Sequence, residues 1–271
     1  MKRAEATPLG YVKLGNGDMA IFPMNDILLN FTFQFREYWE ALRSIINIVI
    51  MRYKLDKPDT LLETIDGDIE VLTQYKFLLA KDPKFNRRQD IKVTELGEGI
   101  YFIEFQNRAK VDMPISGKSV EYFGLAIGHA KGLPVNQIWF LAEPVPELLH
   151  GAVFSRYVLK DEITGRAHPE SSGIMYVDLS KLSEEESQAG ELAAFLLGKN
   201  PEPQDPEVKR VAAAFSTSFQ VFRADKEVEE VLTAEERGRV EGIAIGVDRL
   251  AELIKSGLSV DEAIRKAKAD L

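Results

Sequence analysis

The sequence contains no cysteine, and this absence excludes several kinds of site. Disulfide bridges, thiolate zinc sites and cysteine nucleophiles all require a residue that the chain does not have. Histidine is also scarce, because the three histidines, His129, His150 and His168, are isolated from one another in the sequence. A metal site made of imidazoles is therefore not expected.

Long apolar runs are missing as well. The longest, SIINIVIM at Ser44 to Met51, is far shorter than the roughly 18 residues that a membrane-spanning helix needs. The first residues, MKRAEATPLG, include basic side chains but not the apolar segment of a secretory signal. We therefore expect a cytoplasmic protein that has no membrane partner.

Basic residues are fewer than acidic ones. The 43 acidic residues outnumber the 34 lysines and arginines, which gives a formal net charge of -9. This balance disfavours a broadly basic surface that would coat nucleic acid, although it permits local basic patches. Apolar residues make up 45% of the 271 positions, so the chain can bury a sizeable core as one large domain or one domain with an appendage.

The spacing of apolar residues predicts alternating strands and helices. YVKL and MAIF, joined by GNGD, are typical of a short hairpin, and a helix with a broad apolar stripe begins near Asn25. Capping boxes at Thr60 with Glu63 and at Ser183 with Glu186 predict two further helices, the second reaching to about Gly198. The other predicted strands are 69–79, 90–93, 100–106, 137–142, GAVFSRYVL and SGIMYVDL, with a helix at 116–130. This order predicts an α/β fold whose central strands are largely buried.

Three prolines in KNPEPQDPE, at 199–207, mark a break in the chain. They divide a predicted domain at 1–200 from a helical C-terminal extension at 201–271, with helices expected at 207–222, at 233–255 and from Ser259. Gly238, Gly242 and Gly246 lie four residues apart, so all three share roughly one helix face. This face is either a contact that forms a homo-oligomer or part of a flexible appendage.

The stretch RRQDIKVTELGEGIYFIEFQNR, Arg87 to Arg108, places polar side chains on apolar strands. DIKV and IYFIEFQ are predicted to pair as antiparallel strands joined by ELGEG. Because side chains alternate along a strand, Glu104 and Gln106 project from the same face. The turn is expected to place Asp90 opposite residue 105, flanked by Glu104 and Gln106. Two carboxylates this close repel each other unless a cation lies between them, and oxygen ligands suit Mg²⁺ or Mn²⁺.

These residues and their order resemble the PD-(D/E)XK nuclease superfamily, in particular its branch of transposase-like, recombination-promoting nucleases. The matching segments are RRQD around Asp90, IEFQ at Glu104 to Gln106, and the predicted helix that carries Lys118 and Tyr122. NDILLNF, at 25–31, resembles the Asp-x-x-Phe-Lys segment of the branch, with Leu-Asn in place of Phe-Lys. TAEERGRVEGIAIGVDRLAELIKSGLSVDEAI resembles its C-terminal helix. The resemblance spans most of the chain from about residue 20, although its individual motifs are short.

The resemblance implies a restriction-endonuclease-like core, a mixed central sheet flanked by helices, and metal-dependent hydrolysis of DNA phosphodiester bonds. It implies that Asp90 and Glu104 bind Mg²⁺ or Mn²⁺, with the Phe105 carbonyl as a third ligand. Gln106 takes the position usually occupied by lysine, and Asp26 supplies a further catalytic acid from the first helix. A metal in such a site acidifies a bound water and neutralises charge on the phosphate.

Basic residues flank the predicted site and are expected to contact DNA phosphates. They are Arg87, Arg88, Lys92, Arg108 and Lys110, with Lys118 on the following helix, where an arginine is commoner in the branch. The alternative interpretation of these basic residues is a charged surface that contacts only solvent.

Plainer interpretations of the other residues also stay open. Asp90, Glu104 and Gln106 would then lie on an edge hairpin that faces solvent, and Asp26 would only favour the start of its helix. Lys118 and Tyr122 would belong to a solvated helix face. The corresponding functions are a catalytically inactive nuclease fold that binds nucleic acid or protein, or a structural protein that oligomerises through its C-terminal helix.

Overall fold

The computed structural model describes residues 11–13, 19–21, 23–77, 87–107, 114–160 and 172–224. The strands are β1 (Tyr11–Lys13), β2 (Met19–Ile21), β3 (Ile69–Phe77), β4 (Arg87–Glu95), β5 (Gly99–Gln106), β6 (Val135–Leu141), β7 (Phe154–Val158) and β8 (Gly173–Asp178). The helices are α1 (Asp26–Phe33), α2 (Trp39–Asp56), α3 (Ile115–His129), α4 (Pro146–Leu149), α5 (Leu179–Leu182), α6 (Gln188–Leu196) and α7 (Pro206–Ala224), with a 3₁₀ turn at Arg36–Tyr38. The predicted α/β class is confirmed.

Six of the strands form one mixed sheet in the order β3-β4-β5-β6-β8-β7. β3, β4 and β5 pair antiparallel, β5, β6 and β8 pair parallel, and β7 is antiparallel to β8. Parallel neighbours need a crossover connection, and α3 provides it between β5 and β6. β1 and β2 pair separately as the predicted hairpin. The hairpin that carries the acidic residues is therefore internal to a sheet, with β5 lying at its centre.

The two faces of the sheet are covered by different helices. On β5, Tyr101, Ile103 and Phe105 point into a large core that also contains residues of α1, α2, α6 and α7. Ile100 and Phe102 point to the opposite face, where they pack against α3. Since β5 is covered on both sides, seven of its eight residues are buried. The strand composition reflects this burial, because a strand buried on both faces is nearly continuously apolar.

Two predicted helices take a different form. The single helix expected from Asn25 is interrupted between α1 and α2, where the aromatic-rich sequence has lower helix propensity. The indole N–H of Trp39 donates a hydrogen bond to the Phe33 carbonyl (3.1 Å), which satisfies the end of α1. The helix expected from Ser183 to about Gly198 is present as α6, but its start is wrong, because Ser187 is the cap and accepts the Gly190 N–H (3.0 Å).

The helix expected at Thr60 and Glu63 is absent from the structure, which has neither helix nor strand at 60–66. The Asn47 side chain on α2 binds this segment in both directions, donating to the Ile65 carbonyl (2.9 Å) and accepting from the Ile65 N–H (2.8 Å). Leu62 and Ile65 are fully buried in the large core. These tertiary contacts therefore override the local capping signal, and no helix forms.

α7 follows the proline-rich segment and packs into the same core as the sheet. Val208, Val211 and Phe215 are fully buried, and Thr32 on α1 shares a buried hydrogen bond with Ser218 on α7 (2.7 Å). The domain boundary at 200 stays a prediction, and residues 225–271, with the glycine-spaced helix, lie outside the described residues. No helix in the described part of the chain is both long and apolar enough to cross a membrane.

Candidate active site at the end of β4 and β5

Asp90 and Glu104 lie side by side on the sheet face that α3 covers. The β4–β5 pairing joins Ile91 to Ile103 and Lys92 to Phe102, so Asp90 is next in line with Glu104. The expected position opposite residue 105 is therefore wrong by one residue. A slip of one residue would turn Asp90 to the opposite face of the sheet, away from Glu104. With the observed register, both carboxyl groups point to the same side and lie close enough for the charge of Asp90 to raise the pKa of Glu104.

The backbone is irregular at this point of the sheet. β3 and β4 pair at Thr73 with Ile91 and at Tyr75 with Gln89, but the pairing skips Gln74 and Asp90. Gln74 has a φ of 51°, in the left-handed region that costs a non-glycine residue roughly 1 kcal/mol or more. Strained backbone of this kind tends to occur at functional sites. The distortion lies directly beside one of the two predicted metal ligands.

Each carboxyl group is held through one of its oxygens. The Phe105 N–H donates to Asp90 Oδ2 at 2.9 Å, and Lys118 Nζ on α3 lies 3.4 Å from Glu104 Oε2. The other oxygen of Glu104, Oε1, is buried and accepts no hydrogen bond. Glu104 is 2% exposed, so the interpretation of a solvent-facing edge hairpin fails for this residue. An unsatisfied buried carboxylate oxygen is costly and calls for a positive or hydrogen-bonding partner.

The environment favours the protonated form of both acids. Burial, followed by the negative charge of Asp90, raises the pKa of Glu104 well above its usual range, against the opposing effect of Lys118. Burial also raises the pKa of Asp90, although the hydrogen bond from Phe105 and the charge of Lys118 partly offset it. Two like-charged groups that lie close together out of water behave in this way.

Lys118 is enclosed by aromatic rings as well as by Glu104. Its Nζ lies 5.2 Å from the ring centre of Tyr122 and 5.2 Å from that of Trp139, within the range of cation–π attraction. Tyr122 is 6% exposed and Trp139 is fully buried, so the solvated-face interpretation of this helix surface is wrong for Tyr122. Burial by itself would lower the pKa of Lys118, but Glu104, Tyr122 and Asp90 together outweigh it and raise that pKa, so Lys118 stays charged.

Trp139 was not among the predicted site residues. It pairs with Glu104 across the parallel β5–β6 ladder, and its indole N–H donates to Gln137 Oε1 at 3.2 Å. The Gln137 side-chain nitrogen is buried and donates no hydrogen bond. No sequence signal places Trp139 beside Glu104, because the parallel register joins segments about 35 residues apart in the chain.

Gln106 and Phe105 lie at the C-terminal end of β5. Gln106 is half-buried and shares the face of Glu104, and its backbone carbonyl accepts the Ala142 N–H at 2.9 Å. The Phe105 ring lies on the other face, stacked on Phe140 with 4.9 Å between ring centres. The Phe105 N–H points toward β4, and the carbonyl of a strand residue lies on the same side as its N–H. The carbonyl predicted as the third ligand therefore points toward β4, the strand that carries Asp90.

The remaining predicted residues are distributed as follows. Lys92 shares the face of Asp90 and stacks 4.8 Å from the Tyr75 ring centre, and burial, with a smaller contribution from Lys131, lowers its pKa. Arg87 and Arg88 begin β4, and Asp26 is the first residue of α1, but the side chains of these three lie outside what the structure describes. Arg108 and Lys110 lie outside the described residues.

A divalent cation fits the donors at this site. Within the described ranges, no group of three or more acidic or histidine side chains converges, so the protein would offer two carboxylates and a backbone carbonyl. Mg²⁺ is usually bound by one or two carboxylates and keeps several waters, so this small set is sufficient. The unsatisfied Oε1 of Glu104 and the raised pKa values of both acids are the features that a cation would relieve.

Comparison of the chain with known protein families, with curated proteins and with solved structures finds no match.

Proposed function

We propose that this protein is a metal-dependent DNA endonuclease with a restriction-endonuclease-like core, of the transposase-like, recombination-promoting kind. The observation that carries the proposal is the contact between the carboxyl groups of Asp90 and Glu104. Each acid is held through one oxygen, so its other oxygen remains available to a cation. Structural carboxylates seldom meet in a buried position without several hydrogen bonds, whereas catalytic sites commonly contain such pairs.

The residues around the acids have separate roles in this proposal. Phe105 fixes the orientation of Asp90 through its N–H, while Lys118 fixes that of Glu104. Asp90, Glu104 and the Phe105 carbonyl would hold Mg²⁺ or Mn²⁺, which supplies acidification of a water and neutralisation of phosphate charge. The Gln106 amide can donate a hydrogen bond to a phosphate oxygen or orient a water, but it carries no charge. Asp26 is assigned as an additional acid from α1.

DNA would approach the acid pair beside α3, because α3 covers the middle of that sheet face. Lys92 on β4 and Lys118 on α3 supply positive charge near the acids, and we assign phosphate contacts to Arg87, Arg88 and Arg108 as well. The net charge of -9 limits nonspecific attraction to the phosphate backbone. Binding should therefore depend on these local residues and should weaken as salt concentration rises.

The proposal is tested by incubating supercoiled plasmid with the purified protein and Mg²⁺ or Mn²⁺. Asp90→Asn and Glu104→Gln are each expected to remove cleavage while leaving the thermal unfolding cooperative. Glu98→Gln is the matched control, because Glu98 is an exposed residue in the turn of the same hairpin and should not affect cleavage. Cleavage that persists unchanged in both site variants would contradict the assignment of the site.

The alternative, a catalytically inactive nuclease fold that binds nucleic acid or protein, is tested in the same experiment. It predicts that the unmodified protein retains DNA without cutting it at any concentration of either metal. The neutral Gln106 and the lysine already in place at Glu104 are the observations that favour this alternative.

A further inference from the structure

We propose that Lys118 is the resident counter-cation of the acid pair, and that a divalent cation binds at Asp90 and Glu104 in competition with its ammonium group. The inference rests on the proposed cation site and specifies how that site is regulated. Lys118 would therefore lower the affinity of the site for a divalent cation without being a ligand of that cation. Cation binding would be coupled to movement of Lys118 away from Glu104.

The contacts of Lys118 support this assignment. Within the described part of the chain, Glu104 makes its ion pair with Lys118, whose Nζ lies 3.4 Å from Oε2. The same nitrogen lies 5.2 Å from the centres of both the Tyr122 and the Trp139 rings. A charged nitrogen placed between a carboxylate and two aromatic faces occupies a position suited to a cation.

If Lys118 and a divalent cation both lay beside Glu104, they would repel each other. Both would interact with the same carboxylate, and Glu104 is 2% exposed while Trp139 is fully buried, so water screens their mutual repulsion poorly. The Lys118 side chain is 25% exposed and has a flexible four-carbon stem, so it can turn toward solvent when a second cation arrives. Mutual exclusion is therefore sterically feasible as well as electrostatically favoured.

The fluorescence of Trp139 can be used to follow the replacement of the Lys118 ammonium group by a cation. An ammonium group near an indole ring affects its emission, and moving Lys118 away should change the fluorescence of Trp139 on cation binding. The chain has two tryptophans, so Trp39→Phe leaves Trp139 as the single emitter. Trp39 is the first residue of α2, is partly buried and packs against the core on the opposite face of the sheet, so it is not part of the site.

The test compares Mn²⁺ binding, measured by the electron paramagnetic resonance of free Mn²⁺, in the intact chain and in Lys118→Met. The variant is expected to bind Mn²⁺ about tenfold more tightly or better, because it lacks a nearby like charge. Lys209→Met, which removes an exposed lysine of α7 on the other face of the sheet, controls for the change in net charge and should leave the affinity unchanged. Glu104→Gln should abolish the binding.

A second measurement follows the fluorescence of Trp139 in the Trp39→Phe background. The emission should change as Mg²⁺ or Ca²⁺ saturates the site, and Lys118→Met should remove that change while far-ultraviolet circular dichroism shows an intact fold. These two ions are used because Mn²⁺ is paramagnetic and quenches fluorescence on its own.

The outcomes separate this inference from the proposed function. Equal Mn²⁺ affinity in the intact chain and in Lys118→Met would overturn the inference, even if the protein cleaves DNA. Tight binding by Lys118→Met alone would support the inference and defeat the endonuclease proposal for the natural sequence. Absence of binding in both proteins would overturn both proposals, as would binding that survives Glu104→Gln.

Discussion

Replacing Glu104 by glutamine should make the protein more stable at neutral and alkaline pH. Glu104 is 2% exposed, its Oε1 accepts no hydrogen bond, and it contacts a second acid, Asp90. A buried group left without a partner costs about 1–3 kcal/mol. Glutamine is nearly isosteric, removes the repulsion, and can donate a hydrogen bond to Asp90 through its amide nitrogen.

The expected gain follows from two opposing contributions. Glu104→Gln removes the unsatisfied carboxylate, worth about 1–3 kcal/mol, and loses an ion pair with partly exposed Lys118, worth at most about 1 kcal/mol. With the full loss subtracted, the net gain at pH 8 is about 0–2 kcal/mol. For a chain of this size, this corresponds to a rise in Tm of up to about 8 °C.

The sign of the pH dependence is fixed by the raised pKa of Glu104. A carboxyl group whose pKa is higher in the folded state than in the unfolded state stabilises the fold at low pH, and this contribution is lost as pH rises through the folded pKa. The unfolded value is near 4.5. Below that pH, both states carry protonated Glu104, so the stabilities of the two proteins should converge there. As pH rises above that value, Glu104→Gln should become increasingly more stable than the unmodified protein.

Urea unfolding at a series of pH values, without divalent metal, measures this difference. Glu95→Gln is a matched control because Glu95 is also buried, yet its Oε1 accepts hydrogen bonds from the N–H groups of Asp66 and Gly67 (2.8 and 2.7 Å). Glu95→Gln should destabilise the protein by about 1 kcal/mol, since charge-assisted hydrogen bonds become neutral ones. A Glu104→Gln protein less stable than the unmodified protein at pH 8 would refute the reasoning.

Two further predictions concern the contacts of Glu185, which lies between α5 and α6. Arg52 donates two hydrogen bonds to Glu185 (2.7 and 2.9 Å), so Arg52→Met should lower the free energy of unfolding by about 1–3 kcal/mol in urea. Gly190→Ala should lower the free energy of unfolding by about 3 kcal/mol or more, because the new Cβ would lie 2.1 Å from the Glu185 carbonyl oxygen. Gly124→Ala is the control, at an exposed helix position where a Cβ meets no atom within 4 Å. It should raise the free energy of unfolding by about 0.5–1 kcal/mol. If calorimetry showed the same change in Tm for Gly190→Ala and Gly124→Ala, the expected contrast between them would be wrong.

Local pattern was enough to bring the two acids together but not to set their register. The alternation of side chains along β5 correctly predicted that Glu104 and Gln106 share a face. The register depends on the turn, where Glu95 pairs with Gly99 and leaves a three-residue loop with Gly97 at a φ of 85°. A left-handed glycine in a three-residue loop is a common way to close such a hairpin, but the sequence ELGEG offers two glycines for it.

Helix boundaries failed where several capping signals compete. Asp178, Ser183 and Ser187 lie within ten residues, and each has a side chain that can accept a helix N–H. In the structure, Asp178 caps α5 and Ser187 caps α6, while Ser183 instead donates to the Ser180 carbonyl at 2.7 Å. The choice among them is made by the burial of α6 against the core, which the local sequence does not specify.

The charge at the acid pair comes from a helix rather than from the strand that carries Glu104, and this makes the site dependent on packing. Lys118 reaches Glu104 only if α3 keeps its position over β6 and β8. The neighbouring residue, Ser119, is fully buried and accepts a hydrogen bond from Tyr176 on β8, while it donates to the Ser116 carbonyl at 3.0 Å. The contact that anchors α3 to the sheet is thus one residue away from the ammonium group. A change at Tyr176 would therefore alter the acid pair without touching either acid.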